Sequence, residues 1–191
     1  MLQYQEILDF WFGKPEEPGY GKPKDFWFAK KPEFDQQVRT RFLTYYQKAA
    51  EGYLDEWIES PCSCLALILL LDQFPRNMFR DTPEAFATDW QALSAAQHAV
   101  ARGYDLKLLP VQRWFIYLPF EHSENLEHQR QAVKLFQTLS YDPDSASSID
   151  YAIRHMEIIE RFGRFPHRNP ILGRISTPQE KEFLKQTRSR F

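Results

Sequence analysis

The sequence predicts an all-α fold that occupies residues 1–191 as a single domain. Apolar residues recur with the period of a helix, no segment alternates as a strand does, and glycine and proline fall between the periodic segments. A length of 191 residues is typical of one domain. We therefore expect about eight helices, joined by short loops and packed as antiparallel pairs.

Four helices are predicted in the first half of the chain. They cover Gln3 to Phe12, Phe34 to about Glu51, Ser63 to Phe74, and Pro83 to Arg102. The third is apolar on every side, which is typical of a buried central helix, and Pro75 is expected to end it. Thr82, directly before Pro83, has the pattern of an N-cap residue.

Four more helices are predicted in the second half. They cover Pro110 to about Leu118, Ser123 to about Leu139, Ser147 or Ser148 to Phe162, and a last segment that begins at Thr177. We expect Pro119 to end the first of these and Ser123 to cap the second. Thr177 and Glu180 match a capping box, in which each side chain accepts a hydrogen bond from the other residue's backbone N–H.

Composition and charge exclude several classes of protein. The chain has 24 Lys and Arg against 26 Asp and Glu, so it lacks the basic excess of a nucleic-acid-binding protein. Its longest apolar run, Cys64 to Leu71, is much shorter than the roughly 20 residues of a membrane-spanning helix. The N-terminal segment lacks the features of a signal peptide. We expect a cytoplasmic protein that binds neither nucleic acid nor membrane.

The sequence contains no recognisable metal or cofactor motif. Cys62 and Cys64 lie too close together to form an unstrained disulfide, and we interpret both as small buried residues in a reducing compartment. The histidines and glutamates lack the spacings of metal ligands. A nucleophile elbow, a P-loop and a dinucleotide-binding glycine pattern are also missing.

Polar residues interrupt the predicted apolar faces on four helices. Asp72 and Gln73 end the central helix, and the others are Asp89, Gln129 and His155. Because a buried polar group is costly unless it is paired, each needs a partner. Taken singly, each fits a structural hydrogen bond; together they indicate either one buried polar network or the floor of a cleft.

Arginines are concentrated where two predicted helices end in a proline turn. The segment from Arg161 to Arg174 reads RFGRFPHRNPILGR, and its FPHRN motif is preceded in the chain by the similar FPRN at positions 74–77. Guanidinium groups on such turns suit bidentate binding of a carboxylate or phosphate. In the alternative interpretation they bond helix carbonyls and pair with Asp72, Asp81 or Asp89.

Four motifs together resemble one bacterial family. They are LDFWFG at positions 8–13, LLLDQFPRNMFR at 69–80, LPFEHSE at 118–124 and FGRFPHRNPILGR at 162–174. In this order they resemble domain of unknown function 924, over nearly the whole chain. The resemblance implies an arrangement similar to the tetratricopeptide-like α-α superhelices, although the repeat consensus is missing. It implies no activity, substrate or catalytic residue.

The function predicted from the sequence is binding of a small anionic ligand, with hydrolase or transferase chemistry. The candidate catalytic residues are Asp72, His122, Glu124 and His155, of which a histidine would move a proton and Asp72 would orient a histidine or an arginine. The candidate binding residues are Gln73, Arg76, Asn77, Arg164, His167, Arg168 and Asn169. The alternative is a peptide-binding or scaffolding module without catalysis.

Two geometric expectations follow from this hypothesis. Five residues from distant parts of the chain should surround one site: Asp72, Arg76, His122, His155 and Arg168. Asp89 should be buried and bonded to an arginine or to backbone N–H groups, because it falls on the apolar face of its predicted helix.

Overall fold

A computed structural model describes residues 3–187 and Ser189, and the regular elements of this part of the chain are all helices. The helices are α1 (Gln3–Phe12), α2 (Pro32–Ala50), α3 (Pro61–Ile68, Leu69–Gln73 and Phe74–Met78, joined end to end), α4 (Asp89–Ala101), α5 (Pro110–His122), α6 (Leu126–Gln137), α7 (Ala146–Phe162) and α8 (Pro178–Phe183). Short 3₁₀ turns lie between them, at Asp55–Glu59, Pro83–Phe86, Asp105–Lys107, Pro143–Ser145 and Pro166–Arg168. The predicted all-α class is confirmed.

The third helix lies at the centre of the core, as its apolar sequence predicts. Every residue from Ser63 to Pro75 is buried. Helices α1, α2, α4 and α5 all pack against α3, while α6 packs between α5 and α7. The core is rich in aromatic contacts. Within it, for example, the ring centroids of Trp11 and Phe74 lie 5.3 Å apart. The site described below is formed where α3 and α5 end.

Pro75 does not end the central helix, and this expectation is wrong. The five residues Leu69–Gln73 form a π-helical turn, after which the helix continues to Met78. Proline lacks a backbone N–H and crowds the carbonyl four residues earlier, which here belongs to Leu71. The hydroxyl of Thr88 donates to that carbonyl at 2.6 Å, so the freed acceptor is satisfied by a side chain. A wider turn therefore lets the proline remain inside the helix.

Pro119 likewise lies inside α5 rather than at its end. The helix runs on to His122, which brings Glu121 and His122 into the last turn. Both residues matter below. Thus two buried helices carry an interior proline within three residues of a candidate site residue, Asp72 on one and His122 on the other.

Several predicted helix starts are displaced by a few residues. The segment 83–102 is a 3₁₀ turn followed by α4, and Thr82 makes no capping bond through its side chain. Asn125, not Ser123, caps α6, since its Oδ1 accepts from the backbone N–H groups of Glu127 and His128. Helix α7 starts at Ala146, before either predicted serine.

The C-terminal capping box is confirmed, while the interpretation of Cys62 is wrong. Thr177 Oγ1 accepts from the N–H of Glu180, and Glu180 Oε2 accepts from the N–H of Thr177 at 2.7 Å. Cys64 is buried but Cys62 is exposed, and both are free thiols. Within the described part of the chain, no helix has the length and apolar character needed to cross a bilayer.

Candidate functional site

Asp72 is fully buried in the π-helical turn of α3, where its carboxylate is held by three neighbours. Its Oδ1 lies 2.7 Å from Nδ1 of His122 and 3.4 Å from Nη1 of Arg76, and its Oδ2 accepts from the Gln73 amide at 2.6 Å. The widened turn thus presents a carboxylate to the end of α5. π-Turns occur often at functional sites because they redirect side chains within a helix.

Arg76 links α3 to the first turn of α4. Its Nη1 and Nη2 donate to the two oxygens of Asp89 at 2.8 and 3.0 Å, and Nη1 also donates to the carbonyl of Asp72 at 2.7 Å. The expected bond between Asp89 and an arginine is confirmed. Asp89 is only partly buried, because it begins α4 instead of lying in the middle of a longer helix.

Arg168 reaches the same place from the 3₁₀ turn Pro166–Arg168. Its Nη1 donates to the carbonyl of His122 at 3.0 Å and lies 3.8 Å from the nearer oxygen of Asp89. The guanidinium carbon is 4.5 Å from the ring centroid of Phe165 and 4.8 Å from that of Phe86. Its Nε is buried and has no hydrogen-bond partner among the described residues.

These five side chains, Asp72, Arg76, Asp89, His122 and Arg168, are called the central cluster below. They come from four separate segments of the chain. Two carboxylates face two guanidiniums, so the formal charges balance, but the pairing is unequal. Asp89 is engaged by both Nη atoms of Arg76, whereas no carboxylate of the described residues lies within hydrogen-bonding distance of Arg168.

Burial and neighbouring charges shift the pKa values in the central cluster in different directions. Burial raises the pKa of Asp72, but the charges of Arg76 and His122 lower it by more than burial raises it. The pKa therefore lies well below its usual range. Burial and the charge of Arg76 lower the pKa of His122, despite the opposing effect of Asp72. Burial and the like charge of Arg76 lower the pKa of Arg168 to about 10. The charges of Asp89 and Glu124 raise the pKa of Arg168, but by less than burial and Arg76 lower it.

His155 does not belong to the central cluster, contrary to the expectation that it would. Its Nδ1 lies 3.0 Å from Oε1 of Glu121 and 2.9 Å from the carbonyl of Tyr151. Its ring contacts Phe165, with the centroids 5.4 Å apart, and Phe165 also packs on Arg168. The other four residues of the predicted set do meet.

Glu124 is held by the C-terminal segment. Arg174 donates to its two oxygens at 2.6 and 2.9 Å, and the N–H of Phe165 donates at 2.7 Å. Burial raises the pKa of Glu124, but the hydrogen bonds from Arg174 and Phe165 lower it below its usual range. His167 lies next to Arg168, and burial together with the charge of Arg168 lowers its pKa to about 3.

Arg164 and Asn169 are directed to α8 rather than to the central cluster. Arg164 donates from Nε and Nη2 to the two oxygens of Glu180 at 2.7 and 2.9 Å. The amide of Asn169 donates to Ser176 at 3.0 Å and to Glu180 at 3.3 Å. These contacts attach the segment after α7 to the capping box of α8.

Asn77 also lies outside the central cluster. Its amide donates to Asp35 of α2 at 2.8 Å, and the same carboxylate accepts two bonds from Arg80. The buried Gln129 donates to the carbonyls of Glu121 and Ser123 and so joins α6 to the end of α5. Of the predicted binding residues, Gln73, Arg76 and Arg168 contact members of the central cluster.

Sequence reasoning missed a second buried polar group and two aromatic residues. Arg113 of α5 donates to the hydroxyls of Tyr117, Tyr141 and Thr138, and Tyr117 donates to the buried Asp105. In the sequence, Arg113 directly precedes the apolar run WFIYLPF, and this position was the signal that could have predicted a buried arginine. Phe86 and Phe165 were missed because their stacking on Arg168 depends on tertiary structure.

Two surface clefts lie away from the central cluster. One, of about 530 Å³, is lined largely by Leu8, Phe12, Leu106, Leu108 and Leu109, with Cys62 and Lys107 also present. The other, of about 310 Å³, is formed by residues of α1 with Lys14 and Arg41. Among residues 3–187 and Ser189, no three His, Cys, Asp or Glu side chains are grouped as ligands of a metal ion.

Comparison with known proteins identifies a family. The family described as "Bacterial protein of unknown function (DUF924)" matches residues 7–188, so the chain belongs to it. A solved structure of a protein of unknown function from Agrobacterium tumefaciens is 42% identical and has a TM-score of 0.85, covering 95% of this chain and 96% of that one. No protein with a curated description matches the chain.

Proposed function

We propose that this member of the DUF924 family binds a small anionic ligand at the central cluster, with Arg168 as the ligand-binding cation. One observation supports the proposal above all. Arg168 is only 7% exposed, lacks a carboxylate within hydrogen-bonding distance, and keeps its Nε without a partner among the described residues. A buried charge in this condition costs free energy that a bound anion would recover.

The aromatic contacts of Arg168 favour binding over a purely structural role. Phe86 and Phe165 pack near its guanidinium carbon and restrict how the group can move. Only the N–H groups at the edge of the plane remain for hydrogen bonding, and these suit a carboxylate or phosphate oxygen. The rotational entropy that a flexible arginine would lose on binding has therefore been lost in folding.

Arg76 has a different role in this proposal. Both of its Nη atoms are used by Asp89, so it adds positive potential near the ligand without bonding it directly. Asp89 and His122 line the edge of the central cluster, since both side chains retain partial exposure. A ligand reaching Arg168 would thus lie beside the imidazole of His122.

A thermal-shift and calorimetric series with inorganic phosphate and succinate, at constant ionic strength, tests the proposal. We expect both anions to raise the Tm of the wild-type protein in proportion to the logarithm of concentration, because a ligand that binds only the folded state stabilises it by mass action. Arg168→Gln should lose most of this increase. Arg161→Gln removes the same charge from an exposed arginine that packs on Phe162, and it serves as the matched control.

Equal stabilisation of all three proteins, or of none, would contradict the proposal. The peptide-binding alternative would then be the better prediction. It would use the apolar cleft of about 530 Å³, whose rim includes the exposed side chains of Leu106 and Leu109.

A further inference from the structure

The hydrogen bond between Asp72 and His122 fixes which nitrogen of the imidazole carries the proton. Asp72 is ionised, since its pKa is lowered, and an ionised carboxylate only accepts hydrogen bonds. Its Oδ1 is 2.7 Å from Nδ1 of His122, so Nδ1 must donate. In the neutral imidazole, Nε2 then holds the free lone pair. Asp72 is a positioning residue in this arrangement.

The Nε2 atom is available for chemistry. No described residue forms a hydrogen bond with it, and it is not one of the buried polar atoms that lack a partner. The side chain of His122 keeps 13% of its surface exposed. The imidazole is thus buried on its Nδ1 side and accessible on its Nε2 side. This is the geometry of a histidine that exchanges a proton with a bound molecule.

The backbone of His122 also holds the proposed anion-binding group. Arg168 donates to the carbonyl of His122 at 3.0 Å, so the imidazole and the guanidinium are attached to the same residue. A ligand whose anionic group lies on Arg168 is therefore held at the residue that carries the imidazole. This close attachment gives the proximity that general acid–base catalysis requires.

No side-chain nucleophile is hydrogen-bonded to the central cluster within the described part of the chain. Thr88, next to Asp89, donates to the carbonyl of Leu71, and the hydroxyl of Ser123, next to His122, is bonded to Nδ1 of His128. The thiol of Cys64 is buried near the carbonyl of Ala95, and burial raises its pKa to about 12. Water is consequently the nucleophile that His122 can activate.

The charge of the site selects the ligand. Arg168 supplies a single positive charge, and Asp89 lies 3.8 Å from it, beyond hydrogen-bonding distance. A carboxylate matches that single charge, and its two oxygens suit the plane of the guanidinium group. The ligand should therefore be held through one carboxylate.

We propose that the central cluster hydrolyses esters of small dicarboxylic acids, with His122 as the general base. This inference rests on the proposed anion-binding function. The free carboxylate of the substrate binds Arg168. Water attacks the ester carbonyl carbon as Nε2 of His122 takes a proton from it. The tetrahedral intermediate then breaks the C–O bond to the alcohol, which receives the proton back from Nε2. The products are the dicarboxylic acid and the alcohol, and no other reactant is consumed.

Release of 4-nitrophenolate from mono-(4-nitrophenyl) succinate, compared with neutral 4-nitrophenyl acetate, tests the inference. We expect the wild type to prefer the charged ester by at least about tenfold in kcat/KM, as one charged hydrogen bond provides. His122→Gln should lower kcat by about 10²-fold or more, which is typical of the loss of a general base. His128→Gln controls for unspecific reaction of histidines with activated esters. Its imidazole is bonded to Ser123 and lies outside the central cluster.

Succinate binding by calorimetry separates the two proposals. If succinate fails to bind the wild type, the anion-binding proposal is wrong. If succinate binds but the charged ester is not hydrolysed, or if His122→Gln keeps the wild-type rate, only the general-base inference is overturned. ¹⁵N NMR of the wild-type histidines gives a check that needs no variant. The proton of His122 should reside on Nδ1, and a proton found on Nε2 would contradict the inference.

Discussion

Arg164 and Arg168 lie four residues apart in the segment between α7 and α8, yet their surroundings are opposite. Arg164 forms a bidentate pair with Glu180 and also donates to the carbonyl of Ile175, and the hydrogen bond to Glu180 raises its pKa. Arg168 is more deeply buried, bonds a single carbonyl and has its pKa lowered to about 10. Only the first of the two has a matched partner.

The origin of the partners explains this difference. Glu180 belongs to the capping box of the next helix, so Arg164 is paired by a residue close in the chain. The polar groups nearest Arg168, the carbonyl of His122 and the carboxylate of Asp89, come from distant segments, and that carboxylate is used by Arg76. A fully paired arginine stabilises the fold, while an incompletely paired one retains capacity for a ligand.

The largest expected effect follows from removing the carboxylate that Arg76 and Arg168 share. Asp89→Ala leaves two buried guanidiniums in mutual repulsion, with Asp72 as the remaining negative charge. We expect a loss of about 3–5 kcal/mol in the free energy of unfolding, measured by urea denaturation. Glu182→Ala, in an exposed pair with Lys185, should be nearly neutral. A small effect of Asp89→Ala would show that the central cluster contributes little to stability.

Substitution of the two arginines themselves tests the comparison directly. Arg164→Gln removes the partner of a buried carboxylate, so its Tm should fall by several degrees. Arg168→Gln relieves a charge that the folded state disfavours, although it also loses the bond to His122. Its stability should change by less than about 1 kcal/mol. A larger loss in Arg168→Gln than in Arg164→Gln would reverse the assigned roles.

A smaller effect is expected from pH, with a different range for each region. The lowered pKa values of His122 and His167 mean that the unfolded chain binds protons first, so stability falls as pH decreases below about 6.5. Each histidine changes the free energy of unfolding by up to about 1.4 kcal/mol per pH unit in that range. His122 is faced by Asp72 and Arg76 of α3, Asp89 of α4 and Arg168 of the following 3₁₀ turn.

The region around Arg164 should respond only at lower pH. The hydrogen bond from Arg164 lowers the pKa of Glu180 to about 2, so its contribution is present above about 4.5 and is lost as pH falls towards 2. His122→Gln should therefore reduce the slope of the stability profile between pH 6.5 and 5 to the part that His167 contributes, and leave the acid limb unchanged. An unaltered slope between pH 6.5 and 5 would show that His122 titrates normally.

Local signals in the sequence were sufficient where both partners are close in the chain. Thr177 and Glu180 were predicted as a capping box, and they form it. Gly13 and Gly52 follow α1 and α2 and have positive φ, which glycine adopts without a Cβ clash. Asp72, which was predicted to need a partner, is buried with Nη1 of Arg76 3.4 Å from its Oδ1.

The rest depends on tertiary packing that periodicity cannot show. Pro75 and Pro119 have the usual signature of a helix end, but buried neighbours keep both inside helices. The prediction that Asp89 bonds an arginine is confirmed, but its predicted place within the helix is wrong. The helix was predicted to start six residues too early, and Asp89 is in fact its first residue. His155 lies on the apolar face of α7 as predicted, yet its partner is Glu121, and its ring contacts Phe165 rather than the central cluster.

The central claim is that Arg168, unlike Arg164, binds an anion, and ¹⁵N NMR of the guanidinium groups tests it most directly. Succinate is titrated into the wild-type protein at constant ionic strength while the Nε–H resonances of both arginines are followed. The Nε–H of Arg168 should shift to saturation, because that group is unpaired in the free protein, whereas that of Arg164 should stay fixed in its bond to Glu180. If Arg168 does not respond, or if both resonances drift equally without saturating, the account is contradicted.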